Sequence, residues 1–126
     1  MRTPPRLLTR LVDRRVADEI KRLMRYTVEH GTAVGANLKG ITIAGKTGTA
    51  QAPDGEDHSW FVCFAPVERP AIAVAVLIEH GGYGAAAALP VAVELIKKAK
   101  SLGLLERTGV QIPMVNDKNK SAYPGR

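Results

Sequence analysis

Three stretches of strand-forming residues, separated by short turn-rich connections, constrain the fold of this chain more than any other feature. Residues 41–50 begin with a β-branched run, residues 59–65 are apolar almost throughout, and residues 71–78 alternate small with branched side chains. Proline occurs in both connections, together with aspartate and glycine in the first. Strands joined by connections this short pair with their neighbours in opposite directions. The sequence therefore predicts an antiparallel three-stranded meander.

The side-chain pattern of the second and third stretches predicts how the sheet is covered. An unbroken apolar run such as 59–65 is typical of a central strand that is buried on both faces. In 71–78 the small residues share one face and the branched residues share the other. We expect the small-residue face to be flat enough to receive a helix and the branched face to be bulky.

Two helices are predicted to flank the sheet. Apolar residues recur at helical spacing over 13–30, where Asp13 can cap the first turn and Gly31 can end the helix. A second helix is expected over about 85–100, with Pro90 in its first two turns, where a missing N–H costs least. The fold class is therefore α+β, with a small antiparallel sheet, a C-terminal helix on one face and an N-terminal amphipathic helix.

Length and composition are typical of a single domain. The chain has 126 residues. We predict an extended lead-in over 1–12, a folded part over 13–105 and a polar, flexible tail over 106–126. The sequence shows neither a signal peptide nor an apolar run long enough to span a membrane, so no membrane span is predicted.

The net charge of +6 is concentrated at the two ends of the chain, in residues 1–30 and 97–126. Proteins that bind single-stranded nucleic acids interleave basic residues with aromatic residues that stack on bases. Only 5% of this sequence is aromatic, and those residues are not interleaved with the charges. The pattern therefore argues against nucleic-acid binding and favours solvated helix faces.

The segment 45–50 carries the most distinctive chemistry. It contains a cation, Lys46, two hydroxyl groups, on Thr47 and Thr49, and a residue without a side chain, Gly48. Alternation along a strand places Lys46 and Gly48 on one face and the two threonines on the other. A cation, hydroxyls and free backbone N–H groups suit a carboxylate or a developing oxyanion. An ordinary edge strand with a solvated lysine is the alternative.

Two other kinds of site are disfavoured. Residues 40–47 match the phosphate-loop pattern G-x-x-x-x-G-K-[ST], but that site needs a helix directly after the Lys-Thr pair, and the residues after Thr47 cannot begin one. A phosphate-binding loop is therefore a distant alternative. The histidines lack the spacing of metal ligands, so no metal or other cofactor is predicted; they are His30, His58 and His80.

Neither a catalytic serine nor a catalytic cysteine is expected in the second strand. His58 and Ser59 are the types of residue that form a base–nucleophile pair, but neighbours in a strand point to opposite faces. The single cysteine, Cys63, lies in the most apolar run, where a thiol usually packs as an inert side chain.

Residues 43–51 resemble the Lys-Thr-Gly motif, which is the third motif of the penicillin-binding transpeptidases. The surrounding sequence strengthens the resemblance, because 58–66 and 72–82 are similar to the next two strands of that family and 85–90 to the start of its terminal helix. The resemblance covers about residues 13–100, in order. It implies a partial β-lactamase/transpeptidase-like fold and the C-terminal portion of a peptidoglycan D,D-transpeptidase domain.

The first two motifs of that family do not occur in this sequence. No serine is followed three positions later by lysine, and there is no Ser-x-Asn. The resemblance implies that the serine nucleophile, its lysine base and the membrane anchor lie upstream. It also implies that the whole enzyme works at the periplasmic or extracytoplasmic face of the membrane. We therefore expect negligible catalysis by this chain alone.

Carried over position by position, the resemblance implies roles for four residues. Lys46 would supply positive potential to the substrate carboxylate and the active serine. Thr47 and Thr49 would offer hydroxyl groups to that carboxylate, and the Thr49 N–H would be one of two oxyanion donors. Gly48 would let the ligand approach closely. The implied ligand is a peptidoglycan stem peptide or a β-lactam.

The implied fold also predicts a partner. Further strands and helices cover the sheet in that family, so the strands here are expected to leave a bulky apolar face open to water. Covering it would take the N-terminal portion of the domain or a second copy of the chain. The alternative function is a non-catalytic truncated module for binding or association.

Overall fold

A computed structural model of the protein describes residue 9 and residues 11–106. Most of the predicted lead-in, 1–12, and all of the predicted tail except Glu106 lie outside the described residues. The elements in chain order are α1 (Arg14–His30), a short 3₁₀ helix (Val34–Ala36), β1 (Ala44–Ala50), β2 (His58–Ala65), β3 (Ile72–Ile78) and α2 (Ala88–Ser101). Neither α1 nor α2 is both long and apolar enough to cross a membrane.

Helix α1 has the ends that its sequence predicts. The Asp13 carboxylate accepts a hydrogen bond from the Val16 N–H at 2.9 Å, which satisfies one of the unpaired donors of the first turn. At the other end the Gly31 N–H donates to the Thr27 carbonyl at 3.0 Å. The prediction of a helix over 13–30 is confirmed to within one residue.

The three strands form one sheet in the order β1–β2–β3, and both pairs are antiparallel, which confirms the predicted meander. The first strand is shorter than predicted, since it begins at Ala44 and not at residue 41. Ile41 instead makes an isolated bridge to Leu38 across a tight turn. Gly40 occupies that turn with φ at 78°, a backbone conformation that favours glycine.

The core lies between one face of the sheet and the two helices. Phe61 in β2, Ile96 in α2 and Val28 in α1 are all fully buried and belong to one cluster of apolar side chains. Helix α2 packs on β2 and β3, whereas α1 packs along β1. The two helices therefore hold different strands of the same sheet.

β3 packs on α2 through its branched face, which corrects the expectation that its small-residue face would receive the helix. Val76 is buried, whereas Ala73, Ala75 and Leu77 are exposed. The reason lies in α2, because small residues on a helix leave room for branched side chains of the strand beneath it. The buried residues of α2 include three alanines, Ala88, Ala92 and Ala99.

The prediction that the central strand is buried on both faces is wrong for this chain. Its side chains alternate, with Phe61 and Cys63 buried but Trp60 and Val62 exposed by 38% and 39%. Leu77 of β3 pairs with Trp60 and is 42% exposed. Trp60, Val62 and Leu77 define the open face of the sheet, which none of the described elements covers. The alanines of β3 make this face less bulky than expected.

Ser59 joins the sheet to α2. Its fully buried hydroxyl accepts a hydrogen bond from the Ala88 N–H at 3.0 Å and donates one to the Tyr83 carbonyl at 3.3 Å. Ala87, which directly precedes the helix, makes no side-chain capping bond. Ser59 therefore caps the N-terminus of α2 from a distant part of the chain.

Replacing Ser59 with alanine should lower the free energy of unfolding by about 1–3 kcal/mol, because the buried Ala88 N–H would lose its acceptor. Urea denaturation followed by circular dichroism measures the change. Ser101→Ala is a matched control, since the Ser101 hydroxyl is exposed and donates to the Lys98 carbonyl of the same helix. The control should change stability by less than about 0.5 kcal/mol. Equal losses in the two variants would contradict the capping role.

Candidate functional site

The segment 45–50 lies in β1, at one edge of the described sheet, with α1 packed along it. The Arg25 guanidinium donates to the Ile43 carbonyl at 2.9 Å. The Thr27 hydroxyl donates to the Gly45 carbonyl. Side chains of α1 thus satisfy backbone acceptors of Gly45 in β1 and of Ile43, the residue directly before β1, on the side away from β2.

In an antiparallel strand, successive residues direct their N–H and C=O groups to opposite sides. Every second residue along β1 therefore points these groups outward, away from β2. The contacts at Ile43 and Gly45 mark the odd-numbered residues as outward. The Thr47 carbonyl continues the series and accepts a hydrogen bond from Lys46 Nζ at 2.7 Å. By the same alternation the Thr49 N–H points outward, and Thr49 is exposed. This orientation suits an oxyanion donor.

Lys46 and Gly48 lie on the same side of the sheet as the open face. Lys46 is exposed and pairs with Val62, and Gly48 pairs with Trp60. Within the described part of the chain, none of the ion pairs includes the Lys46 ammonium, so its charge is available to an anion. A β-carbon on Gly48 would lie 3.3 Å from the Trp60 Cβ. Glycine therefore keeps the surface beside the lysine clear.

The two threonines of the segment have different environments. Thr47 is only 6% exposed, and its hydroxyl oxygen lies 2.7 Å from that of Thr32, in the turn after α1. Thr49, near the end of the strand, is exposed. The sequence assigned Thr32 no role at the site, because its local pattern does not signal a contact with a residue 15 positions away.

Gly84, in the loop before α2, contacts the backbone of the segment from the core side. A β-carbon on Gly84 would lie 2.5 Å from the Gly48 oxygen and 2.7 Å from the Trp60 oxygen. Only glycine allows the loop to come this close to both strands. In the sequence, the glycines within 81–84 indicate a turn or a close approach of the backbone, but they do not reveal which strand this loop contacts.

The described residues also show the surroundings of the other candidate sites. β1 continues through Thr47 to Ala50, where a phosphate-binding loop would need a helix. Residues 9 and 11–106 contain no group of three side chains that could hold a metal ion. His58 accepts a hydrogen bond at Nδ1 from the His80 N–H at 3.0 Å, and Ser59 is directed to α2, so these neighbours do not form a base–nucleophile pair.

Comparison with known families identifies the family of this chain. The family of the penicillin binding protein transpeptidase domain matches residues 1–98, which include α1, the whole sheet and most of α2. The chain belongs to the penicillin-binding protein transpeptidase family. The resemblance carried by the Lys-Thr-Gly segment is therefore confirmed, as is the partial transpeptidase fold of α+β class.

Individual members of the family are similar over most of this chain. Peptidoglycan D,D-transpeptidase PbpA of Mycolicibacterium smegmatis is 40% identical over an alignment of 86 residues, which covers 64% of this chain and 17% of that protein. The structure of an imipenem acyl-enzyme complex of penicillin-binding protein A from M. tuberculosis matches with a TM-score of 0.64 at 35% identity. The match covers 71% of this chain and 20% of the M. tuberculosis chain. The D,D-transpeptidase domain of a peptidoglycan glycosyltransferase from Eggerthella lenta has a TM-score of 0.64 at 36% identity, over 75% of this chain and 22% of that one. This chain therefore spans about a fifth of the length of these relatives.

Cys63 lies in β2 opposite Gly45, on the core face of the sheet. It is 4% exposed, and burial raises the pKa of its thiol to about 11. Because the thiolate is the reactive form, a buried thiol that keeps its proton is a poor nucleophile. The geometry therefore agrees with the expected packing role.

Stability should depend on pH through Cys63. Unfolding returns the thiol to an ordinary pKa of about 8.5, so the unfolded chain releases this proton at a lower pH than the folded chain. Below a pH of about 8.5 the thiol is protonated in both states and should not affect the pH dependence of stability. As the pH rises from about 8.5 toward about 11, the free energy of unfolding should fall. Urea denaturation at a series of alkaline pH values measures the slope. Cys63→Ala should show a shallower slope than the wild type, and equal slopes would contradict the shifted pKa.

Proposed function

We propose that this chain supplies the carboxylate- and oxyanion-binding edge of a peptidoglycan D,D-transpeptidase domain, and that residues 13–105 are the C-terminal part of such a domain. Catalysis then requires a Ser-x-x-Lys segment from an upstream portion. The observation that carries the proposal is the outer edge of β1, which presents the exposed Lys46 and the outward N–H of Thr49 in a member of the penicillin-binding family.

The proposed roles are those that the family resemblance implies for the Lys-Thr-Gly segment. Lys46 attracts the substrate carboxylate and raises the positive potential near the incoming serine. Thr47 and Thr49 offer hydroxyls to the carboxylate, and Gly48 leaves room for the ligand backbone. The Thr49 N–H donates to the oxyanion, and such a donor is typically worth ~2.7–4 kcal/mol.

The proposed reaction is acyl transfer to a serine of the upstream portion. The serine oxygen attacks the carbonyl carbon of a stem-peptide amide or of a β-lactam ring, the C–N bond breaks, and an ester forms. The serine proton passes through a general base to the departing nitrogen. Negative charge builds on the carbonyl oxygen during the attack, and the Thr49 N–H is placed to stabilise it.

The relatives support this choice of substrates. The M. tuberculosis structure is an imipenem acyl-enzyme complex, and the M. smegmatis protein is named as a peptidoglycan D,D-transpeptidase. By analogy we place the completed enzyme at the extracytoplasmic face of the membrane, where peptidoglycan lies.

The proposed partner is the upstream portion of the domain, which would cover two apolar surfaces. One is the open face of the sheet. The other is the exposed side of α1, where Val16, Ile20 and Leu23 are 45%, 48% and 53% exposed. Covering roughly 600 Å² of apolar surface at ~25 cal/mol per Å² would gain about 15 kcal/mol, which is as large as the net stability of a whole domain.

A non-catalytic module for binding or association is the second candidate. The environment of Ser59 favours it, because this serine pairs with Thr49 in the sheet but its hydroxyl is fully buried and already bonded to α2 and the preceding loop. In this second case the outer edge of β1 would bind a carboxylate without reacting.

A fluorescent penicillin distinguishes the two candidates. The chain is mixed with a Ser-x-x-Lys-bearing upstream segment from a related transpeptidase, and each component is also incubated alone. We expect covalent labelling of the upstream segment in the mixture only, and no labelling when its serine is replaced by alanine. A mixture without label supports the non-catalytic module. Labelling of this chain by itself would contradict the proposed origin of the nucleophile.

Lys46→Met should slow labelling of that mixture about 10- to 150-fold, because a hydrogen bond to a charged group is worth roughly 1.5–3 kcal/mol. The free energy of unfolding should hardly change, since Lys46 is exposed. Lys39→Met is the matched control, because Lys39 is also exposed but lies in the loop before β1. An equal effect of the two substitutions would show that only overall charge matters.

A further inference from the structure

Thr32 lies in the turn between α1 and the 3₁₀ helix, and its neighbours hold that turn in place. The N–H groups of Gly31 and Ala33 both donate to the Thr27 carbonyl, at 3.0 and 3.1 Å. Ala33 and Ala36 are fully buried in the core. The backbone around Thr32 is therefore anchored to α1 and to the core, although Thr32 itself is exposed.

Thr32 continues a series of hydrogen-bonding side chains, from α1 and its following turn, along the outer edge of Ile43 and β1. Arg25 and Thr27 take the carbonyls of two alternate residues. The Thr32 hydroxyl then lies 2.7 Å from the hydroxyl of Thr47, the next outward residue of the strand. The two hydroxyl groups are thus held by separate anchors, Thr32 by the turn after α1 and Thr47 by the sheet.

The direction of the hydrogen bond between these two hydroxyl groups decides what Thr47 can offer to a ligand. Each hydroxyl has one proton to donate and can also accept, whereas a carboxylate only accepts. If Thr47 donates to Thr32, its proton is used and it presents only lone pairs to a carboxylate. If Thr32 donates to Thr47, the Thr47 proton is free for the carboxylate. Since Thr47 is only 6% exposed, water competes little for its hydroxyl.

We infer that Thr32 is a positioning residue for carboxylate recognition, which holds the Thr47 hydroxyl in one rotamer and donates to it so that Thr47 can donate to the ligand. This inference rests on the proposed function, because it names how a residue outside the Lys-Thr-Gly segment prepares the same site. Thr32 acts through Thr47 and does not itself touch the substrate.

The first test uses the chain alone and does not depend on catalysis. Thr32→Val keeps the shape of the side chain but removes its hydroxyl, and Thr32→Ser keeps the hydroxyl. Three-bond NMR couplings report the χ1 rotamer of Thr47. We expect one rotamer in the wild type and in Thr32→Ser, and averaging over rotamers in Thr32→Val. An unchanged Thr47 rotamer in Thr32→Val would overturn the inference.

The second test asks whether the effect is specific to the ligand carboxylate. In the mixture with the upstream segment, acylation by a penicillin is compared with acylation by its methyl ester, which lacks the negative charge. Thr32→Val should slow the reaction with the free acid about 3- to 10-fold, the size expected for one neutral hydrogen bond. The reaction with the ester should keep its rate, and Thr32→Ser should react like the wild type with both.

The outcomes separate this inference from the proposed function. Equal slowing with acid and ester would mean that Thr32 only supports the fold, and an unchanged rate with the acid would mean that it does nothing for recognition. Either result overturns the inference while the proposed function stands. If even the wild-type mixture is not acylated, the proposed function fails, and the Thr47 rotamer alone decides whether Thr32 positions that side chain.

Discussion

The outer edge of β1 is the constraint on which the rest of this structure depends. A strand edge presents N–H and C=O groups that need partners. Side chains of α1 take the carbonyls of Ile43 and Gly45, and Lys46 reaches that of Thr47. Among the described residues, the contacts of α1 with backbone carbonyls stop at Gly45, whereas the Thr49 backbone also faces outward. The length of α1 therefore limits how much of this edge the helix covers.

The packing that stabilises the sheet also shapes this edge. Ser59 connects β2 to the first turn of α2, and Gly84 brings the preceding loop against the backbone of Gly48. Both contacts are made on the core face, directly behind the segment that carries Lys46. A change in the core is therefore expected to be transmitted to the site through backbone position, even where the site side chains are untouched.

Local patterns predicted the elements of this fold well, because the forces that form them are local. The Asp13 cap, the stop at Gly31 and the short connections between strands depend on neighbours in the chain. The coverage of the faces was predicted less well. The apolar run of β2 suggested burial on both faces, yet Trp60 and Val62 are exposed. Apolar side chains on a strand indicate that a face favours burial, but they do not show whether another element of this chain packs on it.

The sequence by itself determined the meander, the ends of α1 and the Lys-Thr-Gly segment that marks the family. It did so because strand alternation, helix capping and motif spacing are encoded within a few residues. Only the tertiary structure decided that branched residues of β3 face α2, that Thr47 is buried while Thr49 is exposed, and that Thr32 lies against Thr47. These outcomes depend on which distant surfaces meet, and the spacing of residues along one chain does not specify that.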